Sequence, residues 1–133
     1  MSSTPQSFVL PSPAEAMLRD AIAAALRAEP HARAELFERL LAEIEDSMRE
    51  RPGERPWRHE VFTGTDGSRI FRGGTGRSIV IDPAGTMWRA RSYEDFDTTY
   101  TITENGCSID TLTPHYSEMR PLAVTESPPP PRR

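Results

Sequence analysis

Residues 69–103 of the chain read RIFRGGTGRSIVIDPAGTMWRARSYEDFDTTYTIT, and this stretch decides the fold class. Short apolar runs alternate in it with turns that contain glycine or proline, a pattern typical of strands joined by tight connections. Such short connections force neighbouring strands to be antiparallel, because a parallel pair needs a crossover of about a dozen residues or more. The stretch therefore predicts the centre of an antiparallel sheet.

The period of two that is typical of strands extends beyond this stretch in both directions. We predict strands at residues 59–63, 68–72, 77–82, 86–92, 98–103 and 107–112. Asn105-Gly106 separates the last two runs and is the strongest hairpin signal in the chain. We expect about five of these strands to form one antiparallel meander.

Two amphipathic helices are predicted before the sheet. Residues 12–15, Ser-Pro-Ala-Glu, combine a capping serine, a proline at the first helical position and a glutamate three residues after the cap. Apolar residues then follow at helical spacing to about Arg27. Pro30 interrupts this pattern three residues later. A second apolar stripe over residues 36–48 predicts a helix that ends near Arg49. The predicted fold class is α+β, with an N-terminal antiparallel helical hairpin packed on a small antiparallel meander.

The length of 133 residues fits one domain of ordinary size. We expect this domain to span residues 12–122. Its expected parts are the helical hairpin at 12–50, the meander at 57–112 and a terminal turn or short helix at 113–122. Segments 1–11 and 123–133 are expected to be disordered tails, and the second contains four consecutive prolines.

Composition excludes several classes of protein. A single cysteine, Cys107, rules out an internal disulfide framework and a zinc site built on paired thiolates. No continuous apolar segment is long enough for a signal peptide or a membrane span, so we expect a soluble cytoplasmic protein without a membrane partner. The net charge of −4 disfavours broad attraction to nucleic acid, and no DNA partner is expected.

All sixteen basic residues are arginines, and they are unevenly distributed. Residues 51–91 contain eight arginines and four acidic residues, whereas residues 92–131 contain one arginine and seven acidic residues. Two interpretations stay open. The opposite charges pair across neighbouring strands, or the arginines converge on an open sheet face that receives an acidic protein or a phosphate backbone.

Strand alternation places Arg89 and Arg91 on one face of the sheet and Trp88 on the other. If Trp88 lies in the core, the two arginines are exposed together, and neighbouring strands add further arginines. The predicted partner-binding residues are Arg69, Arg72, Arg77, Arg89, Arg91 and Tyr93. A surface of arginines and aromatic rings is typical of protein interfaces, and it also suits single-stranded RNA.

No motif for a cofactor, a metal or a catalytic nucleophile is present. The glycines at 73, 74 and 76 lie between predicted strands in a chain without lysine, which excludes a Walker loop and favours a hairpin turn. The acidic group Glu94, Asp95 and Asp97 lacks the ligand spacing of a calcium loop, and we interpret it as a solvated or arginine-paired loop. We therefore predict no cofactor and no metal.

Our leading hypothesis is a small non-enzymatic interaction module with a protein partner, of an accessory, immunity or antitoxin-like kind. The alternative is a metal-free ribonuclease acting on RNA, with His59 or His115 as the base and Arg89 stabilising the transition state. The order of helices followed by a compact antiparallel sheet resembles small bacterial ribonuclease toxins, a resemblance of architecture in which no motif is matched. The sequence leaves the oligomeric state open.

Overall fold

A computed structural model describes residues 13–49, 57–73, 78–91 and 93–123. The predicted tail 1–11 lies outside these residues, and so does the predicted tail 123–133 apart from Ala123. The predicted cap Ser12 and the predicted site residue Arg77 are also outside them.

The structure confirms the N-terminal helical hairpin. Helix α1 spans Pro13–Arg27 and helix α2 spans Arg33–Arg49, with one 3-10 turn, Pro30–Ala32, between them. The buried residues of α1 are alanines, whose small side chains allow close helix packing, whereas α2 buries larger ones. The buried residues of α2 are Phe37, Leu41, Ile44 and Met48.

Arg33 fastens the end of helix α1 to the sheet. Its Nε and Nη2 atoms donate hydrogen bonds to the carbonyl oxygens of Ala28, at 3.2 Å, and Leu26, at 2.9 Å. Its Nη1 atom donates to the carbonyl oxygen of Gly85, at 2.8 Å. One guanidinium therefore serves two carbonyls near the helix end that have no partner within the helix, together with one carbonyl in a sheet turn.

The main sheet has five antiparallel strands in the order β1-β2-β3-β4-β7. These strands are β1 Glu60–Thr63, β2 Arg69–Arg72, β3 Ser78–Ile81, β4 Met87–Ala90 and β7 Arg120–Pro121. The first four follow one another as the predicted meander, but the chain then leaves the sheet and returns only for β7. Strands β5 Phe96–Thr103 and β6 Gly106–Pro114 instead form a separate two-stranded hairpin, here called the ribbon.

Asp95 directs the chain out of the main sheet and into the ribbon. Its side chain is 4% exposed, and its Oδ2 atom accepts the backbone N–H of Arg91 at 2.7 Å. Its carbonyl oxygen accepts the backbone N–H of His115 at 2.8 Å, just after β6 ends. One residue therefore holds both the entrance and the exit of the ribbon.

Both faces of the main sheet are covered. On one face Phe71, Ile79 and Met87 pack against the helices, and the rings of Phe71 and Phe37 meet edge to face at 5.0 Å. On the other face a second buried cluster joins the sheet to the base of the ribbon and to the segment after it. Its members are Ile70, Val80, Ala90, Leu112 and Met119.

The turn at the tip of the ribbon lies one residue earlier than the Asn105-Gly106 signal predicts. Thr103 pairs with Gly106, so Glu104 and Asn105 are the two central residues. No described residue other than glycine has a positive φ, and the φ of Gly106 is 130°. A type I′ turn centred on Asn105-Gly106 would need a positive φ at both residues, whereas only Gly106 has one.

Candidate functional site

The described arginines of the predicted site do not share one open sheet face. Arg69 points toward helix α2, where its Nη1 atom lies 3.2 Å from Oε1 of Glu38. Arg72 lies on the opposite face of the sheet, the face that carries Ile70, because residues two apart in a strand share a face. Its guanidinium carbon is 6.0 Å from the centre of the Phe62 ring. Helices cover the first face and the base of the ribbon covers the second, so Arg69 and Arg72 lie on opposite faces that are both covered.

Arg89 and Arg91 have different environments. Arg89 shares its face with Met87 and lies half-buried under the helices, whereas Arg91 is exposed beyond the end of β4. Tyr93 begins the 3-10 turn Tyr93–Asp95. Neither Asp95 nor Asp97 forms an ion pair with an arginine among the residues described, because Asp95 accepts a backbone N–H and Asp97 pairs with a histidine.

The three residues of the ribonuclease hypothesis lie in different parts of the fold. Nδ1 of His59 is 3.1 Å from Oε2 of Glu45 on helix α2, and Nε2 of His115 is 3.0 Å from Oδ1 of Asp97 in the ribbon. Only His59 is close to the surroundings of Arg89, because it stacks on Trp57. Of the two candidate bases, His59 therefore lies beside the cleft that Arg89 lines, whereas His115 lies beside the ribbon.

Arg89 lines a cleft of about 180 Å³ between helix α1 and the main sheet. Six apolar side chains from both helices and from two strands form much of the cleft wall: Leu18, Ile22, Phe37, Leu41, Phe71 and Ile79. Glu15, Arg19, Trp57, Gly73 and Arg89 complete it. The cleft therefore combines an apolar wall with two guanidinium groups and one carboxylate.

Within the described part of the chain, the guanidinium of Arg89 has an unpaired donor atom and a like charge beside it. Its Nε atom is buried from solvent and has no hydrogen-bond partner among the residues that the structure describes. Arg120 lies directly opposite it in strand β7, so two like charges face each other across an antiparallel pair, an arrangement that is normally destabilising. A buried donor without an acceptor also costs free energy.

A second candidate surface is the distal half of the ribbon, residues 99–110. Ile102 is 81% exposed and Tyr100 is 52% exposed, and they are the exposed large hydrophobic residues that the described structure contains. The register places Ile102 opposite Cys107 and Tyr100 opposite Ile109. These four side chains share one face, here called the apolar ribbon face, while Thr101 and Ser108 lie on the other.

The ribbon also has free backbone edges and a one-sided charge. Since its sheet has only two strands among the described residues, each strand has one edge without a partner strand in that part of the chain. Residues 96–114 contain three acidic residues and no arginine, lysine or histidine. A bulge between Thr99 and Tyr100 interrupts the pairing of the two strands, and bulges commonly limit edge-to-edge pairing.

None of the four residues of the apolar ribbon face was among the predicted site residues. The available signal was the pair Tyr100 and Ile102, spaced by two within a run of threonines. That spacing predicts an apolar face, but it fits equally well the prediction that residues 98–103 form a strand packed inside the meander. The free strand edges could not be predicted from the sequence, because they result from the separation of the ribbon from the main sheet.

No helix among the described residues is long and apolar enough to cross a membrane. The same residues contain no group of three or more histidine, cysteine, aspartate or glutamate side chains arranged to hold a metal ion. Comparison with protein-family models, with curated proteins and with solved structures finds no match to this chain.

Proposed function

We propose that this protein is a non-enzymatic interaction module that binds a protein partner through the apolar ribbon face. The observation that carries the proposal is the joint exposure of Ile102 and Tyr100 on one face of the ribbon. A cytoplasmic accessory, immunity or antitoxin-like protein would work through a surface of this kind. A reducing cytoplasm would also keep the exposed thiol of Cys107 free.

The attachment of the ribbon supports a binding role. Its base is fixed by the buried side chain of Leu112 and by a 2.9 Å hydrogen bond from the Thr65 N–H to the Leu112 carbonyl oxygen. An anchored surface loses less conformational entropy on binding than a mobile loop does. The distal half can therefore present its apolar side chains in a preorganised geometry.

The apolar side chains, strand edges and charge of the ribbon indicate what kind of protein surface would bind it. An apolar face with free strand edges is suited to a partner that adds a strand to the hairpin and buries Ile102 in a pocket. Asp97, Glu104 and Asp110 give the ribbon a charge of −3, so a basic rim on the partner would be complementary. The positions of Arg69, Arg72 and Arg89 favour this surface over the open arginine face, and the ribonuclease alternative has only His59 beside the cleft that Arg89 lines.

The single cysteine allows a direct test of the apolar ribbon face. A photo-crosslinker attached to Cys107 would project from this face, because Cys107 is exposed and lies opposite Ile102. The matched control is the double variant Cys107→Ser/Ser108→Cys, which moves the same label to the polar face of the ribbon. We expect a protein from cells of the source organism to be crosslinked from position 107 and at least about tenfold less from position 108.

Ile102→Asp supplies the second arm of the test. This substitution places a charge where the partner would bury an apolar side chain, so crosslinking from Cys107 should fall about tenfold or more. Thr101→Asp adds the same charge on the polar face and should preserve the crosslinking. The proposal would be overturned if every crosslinked protein were recovered equally from all four proteins.

A further inference from the structure

We infer that the cleft between helix α1 and the main sheet is a binding site for a small carboxylic acid whose apolar part is about the size of a phenyl ring. The carboxylate would bind at Arg89, and the apolar part would pack against the apolar cleft wall. This site lies on the helix-covered side of the sheet and is independent of the apolar ribbon face.

The size of the apolar part follows from the cleft volume and its wall. The volume is about 180 Å³, with side chains such as Ile22, Phe71 and Ile79 in the wall. An apolar cavity of about 150 Å³ accepts a molecule of the size of benzene. A six-membered ring or a branched aliphatic group therefore fits, whereas a nucleotide does not.

The charge of the ligand follows from the arginines. Among the described residues that line the cleft, two are arginines, Arg19 and Arg89, and one is an acid, Glu15. Arg120 lies beside Arg89 and adds to the positive potential. A negatively charged ligand would relieve the repulsion between these arginines and would supply an acceptor for the unpartnered Nε atom of Arg89.

A carboxylate fits this position better than a phosphate. A guanidinium donates two parallel hydrogen bonds to the two oxygens of a carboxylate. A doubly charged phosphate would have a larger desolvation cost in this partly buried site than a singly charged carboxylate.

Phenylacetate is the probe for this inference, and phenylacetamide and acetate are its matched controls. Phenylacetamide keeps the ring and loses the charge, whereas acetate keeps the charge and loses the ring. We expect saturable binding of phenylacetate in NMR titrations of the unaltered protein, with shifts at Ile22 and Ile79. Because the charge-assisted hydrogen bonds to Arg89 would be lost, the affinity for phenylacetamide should be at least about tenfold lower than that for phenylacetate.

Two arginine variants locate the carboxylate. Arg89→Met should abolish the binding of phenylacetate, while Arg91→Met, which removes an exposed charge outside the cleft, should preserve it. The inference would fail if phenylacetate did not bind, if either control bound as tightly, or if folded Arg89→Met kept its affinity. Because the titrations of the unaltered protein need no variant, they decide the matter even if Arg89→Met does not fold. Ile102→Asp should bind phenylacetate normally, so this test and that of the ribbon can fail separately.

Discussion

Gly85 and Gly67 have almost the same backbone conformation but different surroundings. Their φ angles are 94° and 90°. A Cβ atom at Gly85 would lie 2.5 Å from the carbonyl oxygen of Pro30, whereas at Gly67 the nearest atom is 3.9 Å away. A side chain would be strained by the positive φ at both positions. Only at Gly85 would it also clash with the backbone between the two helices.

Alanine substitutions at these two glycines therefore separate backbone strain from packing. Gly67→Ala should lower the free energy of unfolding by about 1–2 kcal/mol, the cost of a left-handed residue with a side chain. Gly85→Ala should cost about 1–3 kcal/mol more, because the turn and Pro30 must move apart. Urea denaturation of both variants measures the difference. Equal losses would show that the turn does not press on the helical hairpin.

Single residues also show what the sequence could predict about the site. The alternation of Met87, Trp88 and Arg89 correctly placed Trp88 and Arg89 on opposite faces. It could not show which face the helices cover or that both faces are covered, because that depends on long-range packing. Arg89 therefore lines a cleft instead of lying on an open surface.

At the scale of elements, a hydrogen bond joins the turn after β1 to the short segment that follows the ribbon. The hydroxyl of Tyr116 donates to Oδ2 of Asp66 at 2.5 Å, and Oδ1 of Asp66 accepts the N–H of Ser68 at 3.0 Å. Burial of Asp66 raises its pKa, but the hydrogen bonds from Ser68 and Tyr116 outweigh this effect and hold the pKa below 3.8. Burial, followed by the bond to Asp66, raises the pKa of Tyr116 above its usual value of 10.0.

These opposite shifts predict a bounded pH range for the contribution of this bond to stability. Tyr116→Phe should lower the free energy of unfolding by about 1 kcal/mol at neutral pH. The loss should shrink as the pH falls below 3.8 and Asp66 becomes protonated in the folded protein. It should shrink again as the pH rises above 10.0, where the tyrosine ionises more readily in the unfolded chain.

Denaturant titrations of both proteins across this pH range test the prediction. Tyr100→Phe is the matched control, since it removes an exposed hydroxyl on the ribbon, and it should change the free energy of unfolding by less than about 0.5 kcal/mol. A loss in Tyr116→Phe that was constant from acid to alkaline pH would contradict the role given to Asp66.

The pairing of elements marks the limit of the sequence-based prediction. Periodicity and turn residues correctly indicated both helices and the strands β1 to β6, but not β7, which lies in the segment predicted as a terminal turn or short helix. They gave no reason to separate β5 and β6 from the meander, because every connection there is short enough for a neighbouring strand. The separation depends on the buried contacts of Asp95 with the chain on both sides of the ribbon, and a sequence pattern does not contain such contacts.

At the scale of the whole molecule, folding and partner binding should be separable. The main sheet is packed on both faces, whereas residues 99–108 of the ribbon are exposed. Replacing residues 101–108 by Asn-Gly would join the paired residues Tyr100 and Ile109 through a short turn and would remove only exposed side chains. We expect the free energy of unfolding to stay within about 1 kcal/mol of the original value, because closing a shorter loop changes the chain entropy only slightly.

Leu112→Ala is the matched comparison at the base of the ribbon, where the side chain is 5% exposed. It should cost about 2–5 kcal/mol, because it opens a cavity in the cluster between the ribbon and the sheet. The shortened protein should retain phenylacetate binding in the cleft, because no residue of the cleft is changed, and it should lose its protein partner. If shortening instead cost as much as Leu112→Ala, the distal ribbon would contribute to the fold, and its exposed side chains would no longer be a reason to assign it to binding.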